Sequence, residues 1–147
     1  ELIKSGKILY IYEPPNNHSD GYLSAENVAF YNEQFDLAES VMQKDTVILN
    51  RIQLSRLPLQ YAMMEIAKND MFGPRGWYNE VDGKFILRQD MRATLEKFYD
   101  VCMKNDVPAI NEKSLTPDIY YNSTFYFCRD LKKVSTLLLY KMYLAGV

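Results

Sequence analysis

Glu33, Asp36 and Glu39 repeat every three residues, a spacing that sets three carboxylates along one side of a helix. Paired carboxylates are the machinery of glycoside hydrolysis, one as acid and the other as base or nucleophile across the scissile bond. The chain holds nineteen Asp and Glu residues, and nothing singles out a catalytic pair among them. An acidic row on a surface helix is the ordinary pattern of a solvated face, which is what we expect of these three. His18 is the lone histidine, in the polar run NNHSD. With no second histidine it cannot complete a metal set, and an exposed loop position is expected. Phosphate-cradling glycine patterns, a nucleophile elbow and a Cys–His pair are absent from the sequence. No catalytic residue, metal or cofactor is assigned.

Binding chemistry concentrates in the loop FGPRGWYNE, where Arg75, Trp77, Tyr78 and Asn79 stand together on a glycine-rich backbone. Flat aromatic faces take the C–H surface of a sugar, while arginine and amide groups bond its hydroxyls. These four are the candidate ligand residues, for a glycan contact. Trp77 can equally plug a groove between packed helices, the commoner use of a large aromatic. A second pattern is LNRIQLSRLPLQYAMMEI, with Arg51, Arg56 and Pro58 inside an apolar helical run. Pro58 lacks an N–H and collides with the carbonyl of Leu54, so a kinked helix is expected rather than two separate ones. Arg56 can satisfy that freed carbonyl or pair with Glu39 on a neighbouring helix.

Several elements must position these groups. Ile8 to Tyr12 is β-prone and is stopped by Pro14-Pro15. Ser24 offers an N-cap for a helix starting at Ala25, whose stripe is Val28, Tyr31, Phe35, Ala38 and Met42. Phe30, Leu37 and Val41 widen its apolar arc, which predicts packing on more than one side. Asp45 or Thr46 caps the next helix, whose stripe runs through Ile48, Ile52, Leu59, Met63 and Ile66. The short break between the two predicts an antiparallel helical hairpin. MFGPRGWYNEVDGKF reads as loop, with a turn at Asp82-Gly83. Leu87, Met91, Leu95, Phe98 and Cys102 then define a third, amphipathic helix ending near Asn105-Asp106. Thr116-Pro117-Asp118 is a turn or helix start, Asn122 to Cys128 is β-prone without alternation, and Lys132 onward reads as strand or short helix.

At 147 residues and 48% apolar, the chain is sized for one compact domain with a sizeable core. The elements predict a mainly α fold: a helical hairpin and a third amphipathic helix packed as a small bundle, with a short extended N-terminal segment and an irregular tail. A net charge of −2 leaves no electrostatic footprint for nucleic acid. No run approaches the ~20 apolar residues of a membrane span. Cys102 and Cys128 fit neither a zinc site nor a disulfide scaffold, and buried free thiols are expected. The opening ELIKSGK lacks an initiator methionine, so a piece of something longer is expected, as an expressed fragment, a processed product or a proteolytic remnant.

The run from Phe35 to Ile66 resembles a segment of large Bacteroidetes-type proteins that carry a glycan-related domain of unknown function. An F-x-x-A-E core (Phe35, Ala38, Glu39) precedes an acidic break. An R-x-x-x-x-R-L-P-L-x-Y pattern follows, as Arg51, Arg56, Leu57, Pro58, Leu59 and Tyr61. These proteins resemble α-glucuronidase-like glycoside hydrolases, in which a catalytic (β/α)₈ barrel precedes a helical region. A barrel needs about 200 residues, so the resemblance implies a non-catalytic accessory region, from the C-terminal part of a larger multidomain protein, that packs against a barrel outside this chain. It further implies a periplasmic or cell-surface setting, and such a region could mediate homodimerisation. The alternative is a stand-alone helical module binding a glycan or a protein.

Overall fold

A computed structural model describes residues 15–18, 21–82, 84–111 and 113–128. The segments expected at residues 8–12 and from Lys132 onward lie outside this set, as does the side chain of His18. Among the described residues the chain is mainly helical, with four α-helices and one two-stranded sheet.

Helix α1 (Ala25–Val41) begins where Ser24 Oγ accepts the Asn27 backbone N–H at 3.3 Å, with Glu26 in the first turn. Helix α2 (Thr46–Asp70) takes Asp45 as its cap: Oδ1 accepts from the N–H groups of Val47 (3.1 Å) and Ile48 (3.0 Å). The start of α1 meets the end of α2, since Leu23 packs against Ala62 and Ile66, so the two arms are antiparallel as expected. Helix α2 is one unbroken element through Pro58, whose ring is exposed.

The stretch expected to be loop contains a β-hairpin, strands β1 (Tyr78–Val81) and β2 (Lys84–Leu87), paired antiparallel with Tyr78 opposite Leu87. Its strands close at Val81 opposite Lys84, and Asp82 has φ 51°, the left-handed value a two-residue hairpin demands; the other residue of the expected turn lies outside the described set. Leu87 therefore closes a strand, and helix α3 (Gln89–Lys104) starts after it. The expected stripe is otherwise intact, with Met91, Leu95, Phe98 and Cys102 all buried. The β-prone stretch after Asn122 is corrected too. Thr116 Oγ1 accepts the Ile119 N–H at 3.3 Å and Pro117 opens helix α4 (Pro117–Phe125), followed by a 3₁₀ turn at Tyr126–Cys128.

The main core joins α2 (Met64, Ala67) to α3 (Met91, Leu95, Phe98, Cys102), with Trp77, Tyr78, Leu87 and Tyr120 between them. Helix α1 supplies none of it and buries no residue. Phe30, Leu37 and Val41 are 54, 59 and 66% exposed, which overturns the expected packing of α1 on more than one side. Their apolar row faces outward because nothing among the described residues lies against it.

Candidate functional site

Arg56 is the centre of a polar clamp joining three helices. Its residue is 9% exposed, and its Nη1 donates to Asp36 Oδ1 (2.6 Å) and Glu39 Oε1 (3.1 Å), while Nη2 donates to Asn32 Oδ1 (2.8 Å). Lys97 of α3 donates to the other oxygen of Glu39 at 2.6 Å, and the guanidinium lies 5.7 Å from the Phe35 ring centroid. Of the two roles open to Arg56, pairing with Glu39 is the one seen. The acidic row splits accordingly. Glu33 is exposed and the Asp36 side chain is 68% exposed, but that of Glu39 is only 16% exposed and twice paired. Arg51, the other arginine of the motif, is exposed. The Nε of Arg56 is buried and has no hydrogen-bond partner among the described residues.

Beside the clamp, α1 and α2 form the walls of a groove of about 730 Å³. It is lined by Tyr31, Gln34 and Phe35 of α1 and by Leu54, Leu57, Pro58 and Tyr61 of α2, together with Tyr22, Phe98 and Ile110. The lining is mostly apolar, with Gln34, Ser55 and tyrosines as its polar members.

The four loop residues assigned to a ligand are placed apart. Trp77 is fully buried, with its ring centroid 6.1 Å from that of Phe127, and Tyr78 is 1% exposed, its hydroxyl donating to the Phe127 carbonyl. Neither ring offers a face to solvent, which is the packing role weighed for Trp77. Asn79 is exposed on β1, and Arg75 pairs with Asp70 at 2.9 Å. Arg88, the residue before α3, donates to the carbonyls of Pro74 and Gly76, fastening the loop. A side chain at Gly76 would force the backbone to move, because its Cβ would fall on the Met71 carbonyl and 2.6 Å from the Phe72 nitrogen.

A further cluster has no single-sequence signal, because its members come from α2 and α4. Tyr120 donates to Glu65 Oε1 at 2.8 Å, the atom Lys68 also reaches at 2.7 Å, and Lys68 Nζ sits 4.2 Å from the Tyr120 ring centroid. Burial pushes the Lys68 pKa down against the opposing pull of Glu65, and burial together with Glu65 pushes Tyr120 well up. These shifts follow from closing polar groups into a packed end of the bundle. Cys102 and Cys128 are free and buried, and burial raises both thiols to about 11. No group of three or more metal-binding side chains gathers among the described residues, and no described helix is long and apolar enough to cross a membrane.

Comparison with known proteins gives no match to this chain, whether among family models, curated proteins or solved structures.

Proposed function

We propose that this chain is a non-catalytic helical accessory region of a carbohydrate-active, α-glucuronidase-like protein, packing against a catalytic barrel of the same parent. The observation that carries the reading is the outward apolar row of α1: Phe30, Leu37 and Val41, with Val47 (61%) and Ile48 (39%) exposed at the hairpin tip. An apolar row on this scale, on a helix that buries nothing, suits a face that another body covers. The motif from Phe35 to Tyr61 supports the same reading, since Glu39 and Arg56 prove to be its structural pin. A periplasmic or cell-surface setting and homodimerisation belong to this proposal.

A stand-alone module that binds a glycan or protein is the second reading, and the groove beside Pro58 favours it. In that version the ligand meets the tyrosines of the groove rather than Trp77.

Two measurements test the leading reading. The pure chain assayed on glucuronoxylan and aryl glycosides should give no turnover; turnover would refute the non-catalytic role. The parent gene upstream of Glu1 should encode several hundred residues of alternating strands and helices. Its absence removes the barrel and leaves the module.

A further inference from the structure

We propose that α1 is a latched arm, which leaves the α2–α3–α4 core as a unit while that core stays folded, and so opens the groove it walls. Three observations meet in this inference. First, no residue of Ala25–Val41 is buried, and the main core contains no α1 side chain. Helices usually owe their place to a buried apolar face, and that of α1 (Val28, Tyr31, Phe35 and Ala38) is only half-buried. Second, among the described residues the polar ties of α1 to the other helices are concentrated around Arg56. Asn32, Asp36 and Glu39, at intervals of four and three, form a single stripe closed on Arg56, and Lys97 adds the tie to α3. Apolar attachment to fully buried residues is at the entry, where Leu23 and its neighbours Tyr22 and Val28 meet Ala62 and Ile66, while Tyr31, Phe35, Ala38 and Met42 are only half-buried. Third, the far end of α1 turns into α2 through the exposed residues Gln43, Lys44 and Asp45, a link that a swing of the arm can bend.

Motion of the arm acts on the groove. Tyr31 and Phe35 are its α1 wall, and Leu57 and Tyr61 are fixed on α2. Releasing the clamp therefore exposes the apolar wall of α2 and the inner ring faces of α1 together. The inference stands whether the parent is a glycan enzyme or not, because it rests on how α1 is held and linked.

Native-state hydrogen exchange of the whole chain, read by mass spectrometry, tests it. Peptides from residues 26–41 should exchange at least about tenfold faster than those of 91–102. Arg56→Met should speed α1 exchange about tenfold further and leave the 91–102 peptides within about twofold. Lys97→Met, which removes the more exposed tie, should act the same way but less. If Arg56→Met does not fold, Glu39→Gln carries the same expectation with the side-chain shape kept. One common exchange rate for α1 and α3 in the wild type, or equal acceleration of both by the clamp variants, overturns the proposal.

Discussion

Removing Trp77 separates a core residue from a ligand platform. The side chain is fully buried and packs on Phe127, in the core that joins α2 to α3. A tryptophan of this kind buries roughly 200–250 Å², worth about 5–6 kcal/mol at ~25 cal/mol per Å² as an upper bound. Measured large-to-small changes of this class cost about 3–5 kcal/mol. We therefore expect Trp77→Ala to lose about 3–5 kcal/mol in guanidinium unfolding, or about 10–15 °C in Tm for a chain of this size. Trp77→Phe is the informative companion. The indole Nε1 is buried with no partner among the described residues, so phenylalanine sacrifices no hydrogen bond and removes an unpaired donor. Its cost should stay near 1–2 kcal/mol, roughly that of the lost ring volume. As the only tryptophan, Trp77 also reports directly. Xylo-oligosaccharides added to the folded wild type should leave its emission unchanged, because no ring face is open to them. A saturable sugar-dependent shift, or a loss below about 1 kcal/mol in Trp77→Ala, would refute the packing role.

Asp45→Ala should cost about 1 kcal/mol in equilibrium unfolding, because two N–H groups at the start of α2 lose their acceptor. Gly76→Ala should destabilise by about 2 kcal/mol or more, since the obstruction is the Met71–Phe72 backbone rather than a flexible side chain; a neutral result would mean the loop can shift. With both thiols raised to about 11, Cys102 and Cys128 should react slowly with a disulfide reagent at pH 8 in the native state, and both should label rapidly in denaturant. Phe30→Ser with Leu37→Ser should change the stability of the isolated chain by less than about 0.5 kcal/mol and raise its solubility, whereas a large loss would mean this face is packed within the chain.

Local signals read well from the sequence, and pairing did not. Ser24, Asp45 and Thr116 act within three residues of themselves, so their caps follow from residue type and position. The stripe from Met91 to Cys102 was legible because one long helix rests on one core. The hairpin was not, because each strand has only four residues and glycine and proline crowd the approach; it exists through the pairing of Tyr78 with Leu87, which no local window contains. Aromatic residues made 122–128 look extended, yet the cap at Thr116 and Pro117 sets that backbone turning first. Phe30, Leu37 and Val41 mislead for another reason. Periodicity says that a face is apolar and cannot say whether anything covers it. Of the candidate site, the Glu39–Arg56 pair was foreseen, while Asn32, Asp36 and Lys97 were not, since their meeting depends on the rotation of α1 against two helices.

That rotation explains why a costly arginine stands in an apolar helix. Apolar packing between two antiparallel helices tolerates a slide of one turn, because similar rows meet again. Arg56 does not tolerate it. Its two Nη groups are aimed at three acceptors spaced at 32, 36 and 39, and a slip of one turn would leave the guanidinium buried with part of its set missing. An uncompensated charge in such a place costs about 3–5 kcal/mol, reduced here because Asp36 is largely exposed to water. The clamp thus fixes the register of α1 where apolar contact is too sparse to do so, and register decides which α1 rings, Tyr31 and Phe35, line the groove. Phe30, Leu37 and Val41 are left facing outward by the same choice.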